Sequence, residues 1–326
     1  MVTTSLASPR EPTAPLRIVF FGTPGFAVPT LEALLRSRQR VAGVVTQPDR
    51  PRGRGRLMLD APVKAIAAAS GVRILQPQRL KDAAFIEALT ALRADLGVVA
   101  AYGKILPDQV LAIPTRGFIN VHASLLPRYR GAAPVHRAVI AGERETGVTI
   151  MRVVQALDAG PMLANAHRLI GAEETSEEVE RDLARVGAAL LVGTLDRLAA
   201  GHVQEQPQDD SQATYAHKLQ KDEGLIDWRW TADRLHNMIR GLHPWPHAFT
   251  FLGTRRFIVR RSRWSEEPSP EAPGTVVESA GDRLAVATGS GVLEITEIQS
   301  EGKRPMSARE FLAGHPLSRS ERFGSL

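Results

Sequence analysis

The feature that most constrains the fold is a repeated alternation of short apolar runs with helical segments in the first two hundred residues. An apolar run, a segment of helical spacing and a second apolar run follow one another in "LRIVFFG" (16–22), "VPTLEALLRS" (28–37) and "VAGVV" (41–45). Further apolar runs are "LGVVAA" (96–101), "FINVH" (118–122) and "GVTIM" (147–151). Such runs are typical of parallel strands covered on both faces by helices. The alternation therefore predicts an α/β domain with a Rossmann-like parallel sheet.

The alternation stops after a long helical pattern, and this change divides the chain. Residues 173–200 are entered through Thr175 and Ser176 and ended by Gly201, which predicts a closing helix. The polar segment 201–214 has no apolar period and is the expected linker. Short alternating runs with glycine turns follow, which predict a small, OB-like β-barrel. The expected organisation is a loose arm at 1–15, the α/β domain at 16–200, the linker at 201–214 and the barrel at 215–326.

The composition narrows the classes of protein that remain. The chain has no cysteine, which excludes a disulfide framework and a thiol nucleophile and fits the cytoplasm. It has no run of about eighteen apolar residues, so no membrane span is expected. The net charge of +6 favours a polyanionic partner such as nucleic acid, although a compositional bias toward arginine explains the same excess.

The loop after the first apolar run excludes two nucleotide-binding motifs. "GTPGFA" at 22–27 matches neither G-x-G-x-x-G nor G-x-x-x-x-G-K-[ST]. Dinucleotide binding and a P-loop are therefore not predicted. The turn can still bring backbone close to a substrate at the carboxyl edge of the sheet, where ligands of open α/β sheets bind.

Three polar residues are the candidates for catalysis. Strand alternation places Asn120 and His122 on one face at the end of a strand, and the next strand is expected to lead to Asp158 at the same edge of the sheet. An amide that donates to an oxyanion, an imidazole that moves a proton and a carboxylate that orients it suit acyl transfer to an amine. A structural histidine and an ordinary "DAG" turn explain the same spacing. The histidines show no metal-ligand spacing, so no metal is expected.

Beyond these residues, a series of motifs resembles the methionyl-tRNA formyltransferases over nearly the whole chain after about residue 16. The motifs, in chain order, are "FFGTPGFAVPTLEALL", "VVTQPDRPRGRG", "AYGKILP", "NVHASLLPRYRGAAPVHRAV", "ETGVTIM", "LDAGPML", "LIDW", "GLHPWPHAF" and "GKRPMSAREFL". Two positions depart from the common pattern, since Ala123 stands where many members have glycine and Tyr129 where many have tryptophan. Neither departure changes a polar group of the candidate site.

The resemblance implies a function and assigns residues to it. It implies 10-formyltetrahydrofolate as the formyl donor and methionyl-initiator tRNA as the acceptor, in a cytoplasmic enzyme that acts as a monomer. Asn120, His122 and Asp158 match the catalytic residues of the family. The residues that match the folate pocket are Ser124, Leu125, Leu126 and Pro127, with Tyr102, Gly103, Ile105 and Leu106 on the other wall.

Two basic segments are the candidates for binding tRNA. Arg50, Arg52, Arg54 and Arg56 alternate with glycine and proline in an arm that cannot be helical, and the family inserts this arm into the acceptor stem. Arg256 and Arg260, with His247 nearby, lie on or beside a predicted barrel strand and could contact phosphates. The alternatives are a solvated charge run for the arm and an exposed basic strand edge for the barrel.

Two other functions compete with this interpretation. Another folate-dependent formyltransferase, acting on glycinamide ribonucleotide or an amino sugar, would keep Asn120, His122 and Asp158 but would not require the arginine arm. A non-enzymatic RNA-binding protein would not require the three polar residues. An assay with charged tRNA and with small amines separates these possibilities.

Overall fold

The structure is a computed structural model that describes residues 14–52 and 57–324. The strands of the N-terminal part are β1 (Arg17–Gly22), β2 (Arg40–Val45), β3 (Arg50–Arg52), β4 (Leu57–Leu59), β5 (Ile74–Leu75), β6 (Leu96–Ala100), β7 (Phe118–His122), β8 (Arg130–Gly131), β9 (Glu145–Arg152) and β10 (Met162–Leu169). Its helices are α1 (Val28–Arg36), α2 (Pro62–Ala69), α3 (Ala83–Thr90), α4 (Asp108–Leu111), α5 (Pro134–Ile140) and α6 (Ser176–Ala199).

The C-terminal part consists mainly of strands. Its elements are β11 (Tyr215–Ala216), α7 (Ala232–Gly241), β12 (Ala248–Leu252), β13 (Arg255–Ser265), β14 (Val276–Ala280), β15 (Arg283–Ala287), β16 (Val292–Ser300), β17 (Met306–Ser307), α8 (Ala308–Gly314) and β18 (Phe323–Gly324). None of the helices in the described ranges is both long enough and apolar enough to cross a membrane.

The N-terminal domain is built on a seven-stranded sheet of order β10-β9-β7-β6-β1-β2-β5. Successive residues of β1 face opposite sides, so that Ile18 and Phe20 pack with α1, α2, α5 and α6. Val19 and Phe21 pack with α3 and α4 on the other side. The strands are thus buried on both faces, as their continuous apolar runs predict.

The sheet is mixed rather than parallel throughout, which corrects one expectation. Strand β9 runs antiparallel to β7, with Ile119 opposite Arg152 and His122 opposite Thr149. The carboxyl end of β9 therefore lies beside the amino end of β7, at the far edge from His122. The loop 153–161 must then return along the sheet face to bring Asp158 near His122, because an apolar run does not encode the direction of its strand.

Helix α6 closes the domain and begins with a complete capping box. The hydroxyl of Thr175 accepts from the backbone N–H of Glu178, and the Glu178 carboxylate accepts from the backbone N–H of Thr175. This satisfies two backbone donors that a helix start leaves unpaired. The helix ends at Ala199, and Gly201 follows with a φ of +73°, in agreement with the predicted start and stop.

The C-terminal domain is an antiparallel sheet of order β14-β15-β16-β13-β12-β18 that curls around its own core. The two edges meet through backbone hydrogen bonds, from Val276 N to the Glu321 oxygen and from Phe323 N to the Gly274 oxygen, both 2.8 Å. Aromatic side chains fill the interior, with Phe257 packed edge-on against Phe311 and Phe323. The predicted barrel is confirmed in this curled form.

Helix α7 joins the two domains by packing against α5 and the start of α6. Gly241 approaches Ile140 so closely that no side chain fits at this position. His236 bonds the Ala172 carbonyl at 2.9 Å, and the Arg240 guanidinium donates to the carbonyls of Gly171 and Glu174. These contacts place the C-terminal domain beside the elements that follow β7.

Candidate active site

A cleft of about 660 Å³ lies over the ends of β6 and β7 and beneath the loop 153–161. It contains the three candidate catalytic residues together with Met151 and Phe26. A cavity of this size is in the range that holds a small-molecule substrate. The cleft is therefore where the predicted catalytic residues can meet a ligand.

His122 is held at the end of β7 by a backbone acceptor. The residue is 5% exposed, and its Nε2 lies 3.0 Å from the carbonyl oxygen of Tyr129. Because a carbonyl only accepts, Nε2 carries a hydrogen and donates it. Nδ1 is left to face the Asp158 carboxylate, which orients the ring between a carbonyl and a carboxylate.

Asp158 reaches the histidine from the returning loop. Its Oδ2 lies 3.7 Å from His122 Nδ1 and accepts the backbone N–H of Gly131 at 2.8 Å. The backbone of Asp158 has a φ of +47°, a conformation that aspartate adopts more readily than most residues. The side chain of Gln208 donates to the Asp158 carbonyl at 2.8 Å and to the Gly160 carbonyl at 2.7 Å, which anchors the loop.

Asn120 lies two residues before His122 and lines the same cleft. It stands opposite Met151 of β9. Within the described ranges, no hydrogen bond engages its side-chain amide. The amide is thus a donor available to a ligand, as a group that stabilises an oxyanion must be.

The predicted folate-pocket residues divide into two groups. Tyr102, Gly103, Ile105 and Leu106 line the cleft. Ser124, Leu125, Leu126 and Pro127 do not line this cleft, and their role in folate binding stays a prediction. The Ser124 hydroxyl donates to the Arg128 carbonyl at 2.6 Å, and the Thr149 hydroxyl donates to the Ser124 carbonyl at 2.7 Å. These side chains and carbonyls brace the loop behind His122, because the chain turns away from the cleft directly after Ala123.

One wall of the cleft is apolar and open to solvent. Ile105 is 83% exposed and Leu157 53% exposed, an unusual exposure for large aliphatic side chains, and both line the cleft. Tyr102 also lines the cleft but is buried, packed edge-on against Phe21 at 5.2 Å. Burial raises the pKa of the Tyr102 hydroxyl to about 12, so this residue is neutral at physiological pH.

The predicted tRNA arm begins directly after β2. Arg50 and Arg52 belong to the backbone of β3, which pairs with β4 in a two-stranded ribbon. Arg54 and Arg56 lie outside the described residues. The arm is thus an insertion between β2 and α2 of the catalytic domain.

The second basic segment is paired within the barrel. Arg256 contacts Glu301 at 3.1 Å, and Arg260 contacts Glu297 at 2.9 Å. Burial, together with the neighbouring Arg260 and His243, lowers the pKa of His247 to about 4. At neutral pH His247 is therefore uncharged and adds a hydrogen-bonding group rather than a cation.

The three arginines after the catalytic strand have structural partners. Arg128 pairs with Glu143, and Arg137 bonds both carboxylate oxygens of Glu223. Arg130 is 3% exposed and donates to Gln208 and Asp210 of the segment 201–214. That segment was expected as a plain linker, but these bonds show that it packs against the catalytic loop.

Several residues of this site are marked by no motif in the sequence. Gly131 and Gln208 hold the Asp158 loop, and His136 and Glu180 line the cleft. None of them has a spacing that distinguishes it from a surface or core residue. No group of three or more metal-ligand side chains is found in the ranges 14–52 and 57–324.

Residues 16–195 match the formyl transferase family, and residues 218–316 match the formyl transferase C-terminal domain. Over 309 residues the chain is 45% identical to the methionyl-tRNA formyltransferase of Moorella thermoacetica, covering 95% of this chain and 99% of that protein. It is 48% identical to the enzyme of the same name from Methylococcus capsulatus, covering 93% and 98% respectively.

Solved structures share the fold at low identity. HypX from Aquifex aeolicus superposes with a TM-score of 0.64 and 15% identity, over 94% of this chain and 49% of that chain. The sugar 3N-formyl transferase WlaRD has a TM-score of 0.64 and 16% identity, over 89% of this chain and 99% of that chain. The sequence relatives are much closer than these and extend over both domains. The chain belongs to the methionyl-tRNA formyltransferase family.

Proposed function

We propose that this protein transfers the formyl group of 10-formyltetrahydrofolate to the α-amino group of methionyl-initiator tRNA. The observation that carries the proposal is the meeting of Asn120, His122 and Asp158 in one cleft, with His122 Nδ1 facing Asp158 Oδ2 at 3.7 Å. The relatives named methionyl-tRNA formyltransferase support methionyl-tRNA as the acceptor.

The apolar wall fits the ring system of a folate. Ile105 and Leu157 offer exposed aliphatic surface on which a flat heterocycle can pack. The related fold of WlaRD was solved in the presence of 5-N-formyl-THF, which supports a folate as the ligand of this fold. When bound, the donor supplies an activated formyl group.

The chemistry required of the protein is proton transfer and charge stabilisation. The acceptor amine attacks the formyl carbon, a new C–N bond forms, and the bond between that carbon and the donor nitrogen breaks. The Asn120 amide donates to the formyl oxygen as its negative charge grows, and loss of such a donor costs about 10²–10³ in rate.

His122 carries the proton that the amine loses and delivers it, directly or through water, to the departing nitrogen. Its Nδ1 is the nitrogen available, because Nε2 is committed to the Tyr129 carbonyl at 3.0 Å. Asp158 orients the ring and stabilises its charged form. This chemistry needs neither a covalent enzyme intermediate nor a metal.

The tRNA is proposed to contact both basic segments. Arg50, Arg52, Arg54 and Arg56 are the proposed contacts to the acceptor stem, where a guanidinium can bond phosphate and base edge together. Arg256 and Arg260 are weaker candidates, since each already has a carboxylate partner. We place the enzyme in the cytoplasm and expect it to act as a monomer.

An acceptor panel tests the proposal. The purified protein is incubated with 10-formyltetrahydrofolate and with methionyl-initiator tRNA, glycinamide ribonucleotide or an amino-sugar nucleotide, and the formylated product is measured. The proposal expects formylation of the tRNA at a rate far above that of either small amine. Efficient formylation of a small amine with no reaction on the tRNA would replace it with the competing formyltransferase function.

A further inference from the structure

The cleft contains a carboxyl and an imidazole that the proposed mechanism does not use. Glu180 of α6 and His136 of α5 line the same cleft as Asn120 and His122. Both are partly buried. Their role is open, because the proton transfer and the oxyanion are already assigned to other residues.

The orientation of His136 is fixed by its surroundings. Its Nδ1 lies 2.8 Å from the carbonyl oxygen of Gly241 and 2.8 Å from the hydroxyl of Ser176. The Ser176 hydroxyl in turn bonds the carbonyls of Gly241 and His243. Since a carbonyl only accepts, Nδ1 carries a hydrogen and Nε2 is the nitrogen left for other contacts. The ring is therefore a fixed polar group of the wall.

Glu180, unlike His136, has no hydrogen-bond donor and no ion-pair partner in the described ranges. Burial raises the pKa of its carboxyl, the nearby His136 acts against this, and Glu177 adds to it. A partly desolvated carboxylate without a donor is stabilised by a cationic ligand. The position thus favours a ligand that brings a positive charge and N–H donors.

The two walls of the cleft differ in chemistry and in their place in the fold. Tyr102 and Leu106 belong to the core on the α3–α4 side of the sheet. Helices α5 and α6, which contribute His136 and Glu180, pack on the opposite side. The apolar wall suits the heterocycle of the donor, and the wall with Glu180 suits a charged amine.

We propose that Glu180 binds the α-ammonium group of the aminoacyl acceptor and accepts the proton that this group loses before it attacks. One N–H bond of the ammonium group breaks, an O–H bond forms on the carboxylate, and the nitrogen lone pair becomes free to attack the formyl carbon; the second proton, lost after the C–N bond forms, is the one that His122 carries. His136 is a positioning residue that keeps this wall polar. The inference rests on the proposed acceptor and assigns the side from which the acceptor enters.

The test compares two acceptor-end ligands that differ in the amine alone. Binding of methionyl-initiator tRNA is measured without donor, against the same tRNA esterified with the α-hydroxy analogue of methionine. The proteins are the wild type, Glu180→Gln and Glu87→Gln, a matched charge change on the exposed surface of α3. Glu180→Asp, which retains the charge, is the second variant.

The wild type and Glu87→Gln are expected to bind the methionyl form about tenfold or more tightly than the hydroxy form. In Glu180→Gln this preference falls to near unity, and kcat/KM for the tRNA falls about tenfold, while KM for the donor stays unchanged. Glu180→Asp retains part of the preference. An unchanged preference in Glu180→Gln would overturn the inference, as would an equal loss of donor and acceptor binding.

Failure of the proposed function has a different signature. The binding preference is measured without chemistry, so it tests Glu180 even if no formylated product forms. If the wild type shows no formylation of methionyl-tRNA under any condition, the proposed function is wrong, whatever the binding preference shows.

Discussion

Replacement of Asp158 by asparagine isolates the electrostatic contribution of the carboxylate. The amide retains an oxygen that can accept the Gly131 N–H, so the loop keeps the 2.8 Å hydrogen bond that positions it. What is lost is the negative charge beside His122. The substitution therefore changes the stabilisation of a charged imidazole with little change of shape.

The distance sets the size of the effect. Two unit charges separated by 3.7 Å attract by about 4 kcal/mol at an effective dielectric constant of ~20. Both side chains are largely buried, 6% and 16% exposed, so screening by solvent is limited. If the imidazolium is present in the transition state, Asp158→Asn lowers kcat by up to about 10³-fold.

The assay is the initial rate of formyl-methionyl-tRNA formation at saturating donor and tRNA. Asp82→Asn, an exposed aspartate before α3, is the control for the loss of one negative charge. Thermal unfolding checks that the variant is folded, and donor binding checks that the cleft is intact. A folded Asp158→Asn enzyme that binds donor and retains a rate within about threefold of wild type would refute the electrostatic reasoning.

Three further outcomes are expected. Arg54→Ala raises KM for the tRNA about tenfold and leaves KM for the donor unchanged. A steady-state assay measures both, with Arg36→Ala as the control. An equal rise of both KM values would indicate misfolding instead. Gly131→Ala lowers the formylation rate at least about tenfold. The new Cβ would meet the Ala216 carbonyl oxygen at 2.8 Å, and the backbone φ of +120° at this position disfavours a side chain. Circular dichroism checks that the variant is folded, and a folded variant with the wild-type rate would contradict this prediction. Burial opposes ionisation of Glu178, but hydrogen bonds from Thr175 and Arg261 hold its pKa at about 2. The ionised Glu178 carboxylate therefore stabilises the folded protein fully above its unfolded pKa of about 4.3. This stabilisation is lost as the pH falls through the pKa that Glu178 has in the folded protein. The difference in melting temperature between wild type and Glu178→Gln should thus shrink between pH 5 and pH 2, and a difference that grows on acidification would contradict the assignment.

Much of the fold follows from local signals that the sequence displays directly. The apolar runs of β1, β6 and β7 are buried on both faces, as uninterrupted apolar patterns predict. The start of α6 is visible as threonine followed three residues later by glutamate, and the structure contains that capping box. Asn120 and His122 alternate with Ile119 and Val121, whose side chains belong to the core cluster that includes α5 and α6, as the strand pattern predicts.

The remaining features depend on contacts between distant segments. The direction of β9 is set by how the chain between β7 and β9 packs, and an apolar run is the same in either direction. The polar composition of 201–214 reads as a linker, yet Gln208 uses its amide to hold the Asp158 loop. Glu180 is marked by no motif in the sequence, and it lines the cleft beside His136 of α5 only because the chain folds α5 against α6.

The most direct test of the catalytic assignment is a single-turnover measurement with His122→Ala. Enzyme in excess is mixed with 10-formyltetrahydrofolate and methionyl-initiator tRNA at saturating concentrations, and the rate of formyl-methionyl-tRNA formation is compared with that of wild type. The structure places His122 as the proton carrier of the cleft, with Nδ1 facing Asp158 at 3.7 Å. The expected result is a loss of about 10²–10⁴-fold in a variant that stays folded and binds donor normally. A rate near that of wild type would show that the chemistry does not run through this histidine.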